Sequence, residues 1–297
     1  MEQCDLSWTI GQDGEKEHRI KNPLDIATNS SGQYIVADYD LTIKVFDNSG
    51  KFVKCFRLPP FIDDNGKELS TENWKVKLAT DINDNIYVLV EEKNHQRWIF
   101  KFDKSADQYH KFRERTMDLE CNLCKLSVSD SGKVMVLKGN YTKDYHFVDL
   151  YETDGQFVCS FGEQNLKSPR DISTVSDGRV MVVDQTPSHC VHIFSELGDH
   201  LSKFDLKGFV HFPNIAFHRE SQQVVLASTD DEKELLCIGI YTKDGEFVRS
   251  VFIYKSGYFL YKIAVSTEGR IAALGPSYVK LESGVMDYKI GYRLIVL

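Results

Sequence analysis

The 297-residue chain predicts an all-β fold: a six-bladed β-propeller with four-stranded antiparallel blades, the last blade closed by the N-terminal strand. Three observations predict it. A strand-turn-strand phrase recurs six times, its turns at Gly32, Asn85, Gly132, Gly178, Ser221 and Gly269, spaced 43 to 53 residues apart, which is the period of propeller blades. Runs rich in Val, Ile, Tyr and Phe alternate with turns of Gly, Asp, Asn and Ser, which supply positive φ or a side chain that bonds its own backbone. No stretch carries the 3.6-residue periodicity of a long amphipathic helix.

The first unit reads as strands over 25–28, 34–37, 43–47 and 51–56, with tight turns at Ser30-Ser31-Gly32 and Asn48-Ser49-Gly50. The third and fourth strands recur over 147–161, 191–204 and 238–251. The sixth unit holds only three strands, over 263–265, 270–274 and 292–297, while an unmatched strand-like run lies at 6–11. A ring of sheets leaves no open edge when that run supplies the missing outer strand. Residues 1–297 are therefore expected to form a single domain.

Certain phrases are specific. Asn22-Pro23 leads into Asp25-Ile26-Ala27, Ala37-Asp38 ends the second strand, and Ile43 to Asp47 spells IleLysValPheAsp; unit four repeats the pattern with Ser168-Pro169-Arg170-Asp171-Ile172, Val182-Val183-Asp184 and Val191-His192-Ile193-Phe194. These phrases resemble NHL repeats, over nearly the whole chain, and resemble most the C-terminal propeller of tripartite-motif NHL proteins. Units two, five and six depart from the pattern and are placed by spacing. The resemblance implies a target-binding domain that, behind RING, B-box and coiled-coil segments, presents targets to a ubiquitin ligase. None of those segments is among these residues.

Composition fits a soluble, cytoplasmic domain: no apolar run reaches the ~20 residues of a membrane span, and no signal-like segment opens the chain. The net charge of −8 comes from Asp and Glu at the tight turns of one face, among them Asp47, Asp81, Asp84, Asp177 and Asp244, where turn chemistry favours Asp. Of the seven cysteines, an odd number, Cys55, Cys159, Cys190 and Cys237 sit inside or at the ends of strand patterns, where a reduced thiol acts as a small buried group. Cys121 and Cys124 have the spacing of half a zinc site, without a second pair or a His at ligand spacing.

The opposite face carries the longer loops, where a rigid scaffold usually places binding residues. There the sequence sets Lys93, His95 and Arg97 in unit two, Lys138, Tyr141, Lys143 and Tyr145 in unit three, and Lys167, Arg170 and His189 around unit four. Cations interleaved with aromatic side chains can dock a peptide or stack and pair unpaired bases of single-stranded RNA. Asp230, Asp231, Glu232 and Glu234 limit any basic surface to one sector.

Aligning the first strands on Ile26, Leu78, Leu126, Ile172, Ile215 and Ile263 brings Asp25, Lys77, Lys125, Asp171, Asn214 and Lys262 to one level of the central channel. Mixed signs there point to ion pairs that help to close the ring, or to an anion pocket. Six-bladed lactonases and an NHL-like lyase have a similar architecture but hold metals on converging carboxylates or His, and three lysines at this level oppose a divalent cation. No serine-elbow or phosphate-binding glycine loop appears. The expectation is a non-catalytic recognition module without cofactor or metal, monomeric by itself, that binds a protein or peptide. Single-stranded RNA is the alternative, and a metal-dependent lactonase or lyase a remote one.

Overall fold

In the computed structural model, the described residues are 8–10, 18–61, 74–91, 96–115, 121, 123–186, 188–206, 211–230, 235–254, 262–278 and 290–296. Every regular element among them is a strand. Strand β1 (Trp8–Ile10) comes first. Blade one holds β2 (Pro23–Thr28), β3 (Tyr34–Asp38), β4 (Thr42–Phe46) and β5 (Phe52–Arg57); blade two holds β6 (Lys75–Thr80), β7 (Ile86–Glu91), β8 (Arg97–Phe102) and β9 (Tyr109–Arg113). Blade three follows with β10 (Leu123–Val128), β11 (Val134–Asn140), β12 (Tyr145–Tyr151) and β13 (Phe157–Phe161), and blade four with β14 (Pro169–Thr174), β15 (Val180–Asp184), β16 (Cys190–Phe194) and β17 (His200–Asp205). Blade five is β18 (His211–His218), β19 (Gln223–Asp230), β20 (Leu235–Thr242) and β21 (Phe247–Tyr254), after which come β22 (Lys262–Val265), β23 (Ile271–Tyr278) and β24 (Ile290–Val296).

Five antiparallel sheets are built from consecutive strands, and the sixth has the order β1-β24-β23-β22, drawn from both ends of the chain. Trp8 pairs with Val296 and Ile10 with Leu294, and the Ile10 side chain is buried against Ile26, Tyr34 and Leu274 of the neighbouring core. Deleting residues 1–11 therefore strips a ladder from β24 and leaves an unpaired edge. The expected result is a clearly lowered melting temperature with concentration-dependent association. A truncated protein that melts with the intact one and stays monomeric would contradict this pairing.

Neighbouring blades are stapled along their first strands. Thr80 Oγ1 donates to Thr28 O at 2.6 Å, Thr28 Oγ1 to Val265 O at 2.7 Å and Thr174 Oγ1 to Val128 O at 2.7 Å. Farther out, Gly155, Gly198 and Gly245, each in the turn between the third and fourth strands of its blade, accommodate Phe112, Phe161 and Phe204 of the preceding blade: a Cβ at Gly198 (φ 97°) would lie 2.5 Å from the Phe161 ring. No other residue type both adopts that φ readily and leaves that space.

Turn positions two and five shift by one residue from the sequence reading. The left-handed residues are Asp84 (φ 62°) and Gln222 (φ 55°), not Asn85 and Ser221. Asp84 tolerates this because its carboxylate is fully used, accepting from Ser30 N at 2.7 Å, Ser30 Oγ at 2.9 Å and Lys104 Nζ at 2.7 Å. An acidic turn residue here staples blade two to blade one.

Candidate functional site

The phrase ending in Asp38 has a mechanical explanation. Asp38, at the end of β3, accepts from the backbone of Lys21 (3.0 Å) and Asn22 (2.7 Å) and from Lys44 Nζ (2.7 Å). It thereby pins the segment that leads into β2. Burial raises its pKa, but Lys44 and these amides outweigh that and hold it below the usual carboxylate range. Asp184 repeats the device in blade four, accepting from Lys167 N at 2.6 Å and Ser168 N at 2.8 Å, with His192 Nε2 at 4.0 Å where blade one has Lys44.

Blade three performs the same task with the charges exchanged. Val36, Val136 and Val182 occupy equivalent places, facing Lys44, Asp149 and His192 on the third strands, so Lys138 stands where Asp38 and Asp184 stand. Lys138 is 1% exposed. It pairs with Asp149 (2.7 Å) and with Glu114, and donates toward Arg115 O at 3.4 Å. A donor here grips a carboxylate and a carbonyl, where an acceptor grips amides in blades one and four. Burial pushes the Lys138 ammonium down against the upward pull of Asp149.

The pair continues into blade two. Arg97, 6% exposed, binds Glu91 at 3.0 Å and Glu114 at 3.4 Å, and Lys75 reaches Glu91 at 3.1 Å. The expectation that Arg97 and Lys138 face a ligand is thus corrected: both are sealed in an ionic chain between blades. The available signal was register, since Lys138 aligns with two buried aspartates. Cys121 and Cys124 are buried beside this chain, and burial pushes the Cys124 thiol up to about 12. Among the described residues no His, Cys, Asp or Glu cluster is arranged to hold a metal.

Other loop-face residues are distributed more openly. Lys93 and His95 lie outside the described residues. Lys143 and Lys167 are exposed, and Tyr145 and His189 are half-buried, with Tyr145 Oη 3.8 Å from Cys121 Sγ. Tyr141 and Arg170 are brought together: the guanidinium lies 4.8 Å from the centre of the Tyr141 ring. Tyr141 Oη donates to Pro169 O at 2.7 Å, and Arg170 Nε to Gln185 Oε1 at 2.6 Å. The result is a fixed aromatic-cation platform bridging blades three and four.

Behind Tyr141 lies His146, 2% exposed, its ring packed so closely on Gly139 that a Cβ there would lie 2.2 Å from Nδ1. Burial lowers the His146 pKa more than Asp144 and Asp184 raise it. The unfolded chain takes up this proton near pH 6.5 while the folded protein resists it, so stability should fall as pH drops below about 6.5. Chemical denaturation from pH 7 to 5 is expected to show a shallower loss in His146→Gln than in the parent. The slope that remains belongs partly to His192, also lowered by burial. Equal slopes would refute the assignment.

In the channel, all six predicted positions occupy one level. Asp25, Lys77, Lys125, Asp171, Asn214 and Lys262 face Ala37, Leu89, Leu137, Val183, Ala227 and Leu274 on the second strands. Lys262 of blade six reaches past Asn214 to both oxygens of Asp171, at 2.8 and 2.9 Å, and Lys125 stands 3.9 Å away. Asp171 also accepts from Ile215 N at 3.1 Å, and Asp25 from Leu78 N at 2.8 Å. Burial raises Asp171, but Lys262 and Lys125 outweigh it and keep the carboxylate ionised. Lys262 is raised because Asp171 overcomes its burial, whereas burial carries Lys125 down to about 8.

Below this layer a cavity of about 170 Å³ opens toward the tight-turn face, not toward the longer loops, with Lys262 among its lining. Its width comes from a level of small residues, Ala27, Ala79, Ser127, Ser173, Ala216 and Ala264. Asp81, His218 and Arg219 stand near its rim.

Solved structures share this architecture. A protein of unknown function from Bacteroides caccae is 12% identical, with a TM-score of 0.59 over 82% of this chain and 85% of that one. The β-propeller domain of Cps50 (Swd1) from Myceliophteria thermophila is 12% identical with a TM-score of 0.56 over 98% of both chains. The WD40 β-propeller domain of Doa1 is 11% identical, with a TM-score of 0.52 over 98% of this chain and 96% of that one. At such identities the likeness shows the β-propeller fold. No family model and no curated protein matches the chain.

Proposed function

We propose that this propeller is a non-catalytic recognition module of NHL type that binds a protein or peptide on its longer-loop face. The observation that carries the reading is the Tyr141-Arg170 platform. Both side chains are held by partners of their own, so binding orders little, and aromatic and Arg residues dominate interface energetics. Removal of Arg97 and Lys138 into buried pairs thins the basic sector that an RNA backbone needs. The NHL assignment is supported by the Asp38 and Asp184 clamps, which give the Asn-Pro and Ser-Pro phrases a shared structural role. The WD40 propeller among the similar folds is consistent with an interaction role.

The test is selection of peptides from a display library on the intact protein. Selected peptides should lose affinity about tenfold or more in Tyr141→Ala and Arg170→Ala, with melting temperatures near the parent's. Mixed single-stranded oligonucleotides are titrated alongside at low salt. Steeply salt-dependent binding that disappears in Lys143→Glu/Lys167→Glu/Arg170→Glu, with no peptide selected, would replace this reading by RNA binding.

A further inference from the structure

The channel layer contains more positive charge than its own pairs consume. Three ammonium groups share one level with two carboxylates. Asp171 takes its hydrogen bonds from Lys262 and the Ile215 amide, and Lys125 stands at 3.9 Å, outside hydrogen-bond distance. Among the described residues Lys77 makes no ion pair, and Asp25, 2% exposed, has one oxygen on the Leu78 amide while its buried Oδ1 has no hydrogen-bond partner. Unused ammonium donors therefore stand near an unused carboxylate acceptor. A bare anion answers the lysines and repels Asp25; a cation does the reverse.

We propose that the channel centre is a subsite for a carboxylate carried beside a backbone N-H, the oxygens received by Lys77 and Lys125 and the N-H by Asp25 Oδ1. That chemistry belongs to a peptide's carboxy terminus, or to an Asp or Glu side chain on an extended segment. Charge is consistent with it: burial depresses the Lys125 ammonium, with Lys77 and Lys262 adding to it against the upward pull of Asp171 and Asp25, and an added carboxylate relieves the repulsion among the lysines. The inference is independent of the loop-face platform, because none of its residues belongs to that surface.

Melting of the intact protein is followed at pH 7 and constant ionic strength with three probes: an N-acetylated tri-glycine acid, the same peptide as its amide, and an N-acetylated glutamate amide. Inorganic phosphate is the control. A carboxylate probe is expected to raise the melting temperature saturably by about 2–4 °C at ten or more times its dissociation constant. The amide and phosphate should not. Lys77→Met should abolish the response without loss of fold, as should Lys125→Met. Whichever carboxylate acts identifies the source, terminus or side chain. Equal responses to acid and amide, an equal response to phosphate, no response to either carboxylate, or a response retained in both variants would overturn the proposal.

Discussion

Replacing Lys138 with Met is expected to destabilise the protein by about 3–5 kcal/mol, because it leaves charged partners buried without compensation. Asp149 and Glu114 are 0% and 3% exposed, and both face Lys138 Nζ. Asp149 retains Tyr151 Oη at 3.2 Å and Ser160 Oγ, and Glu114 retains Arg97, so neither is wholly abandoned and the low end of the range is favoured. Combining Lys138→Met with Asp149→Leu should recover much of the loss, since an apolar pair can replace a buried ion pair at little cost. Urea denaturation of the four proteins gives the coupling directly. A single variant within 0.5 kcal/mol of the parent, on the scale of an exposed pair, would mean that water reaches the chain of charges.

How far the sequence reveals the molecule follows from what each residue has to do. Glycine at 32, 132, 178 and 269 is legible because left-handed φ at a turn is a local demand. Where Asp84 and Gln222 meet the same demand with other resources, the reading slips by a residue. Channel positions were legible for a similar reason, since one alignment of first strands places all six side chains at one level. The loop face is less legible. A lysine in a polar stretch near a loop looks exposed, and Lys138 is instead the inverted counterpart of Asp38, a relation that exists only between blades. Arg97 is hidden for the same cause: its partners Glu91 and Glu114 lie on other strands of the blade or beyond. Tyr141 and Arg170 are each legible in the sequence, but their stacking across blades three and four depends on how two sheets meet.

Replacing Asp171 with Asn should be as costly, at about 3–5 kcal/mol near pH 7, because the amide can still accept from Ile215 N-H but no longer compensates two buried ammonium groups. The pH dependence distinguishes this from simple loss of packing. In the parent, Lys125 titrates near 8 when folded and near 10.4 when unfolded. The unfolded chain thus binds more protons between those values, and stability gains from this group as pH rises through them. Asp171 acts at the other end: its lowered carboxylate contributes above the unfolded value near 3.9 and loses that contribution as pH falls through its folded value. Without Asp171 both lysines should release protons more readily, so the penalty of the variant should shrink from pH 7 toward pH 10, and shrink again in strong acid where the parent's own carboxylate is protonated. Denaturation midpoints at pH 2, 7 and 9.5 test the pattern. A penalty that is constant across all three, or below about 1 kcal/mol at pH 7 as for a solvated pair, would place bulk water around the layer and remove its role in closing the ring.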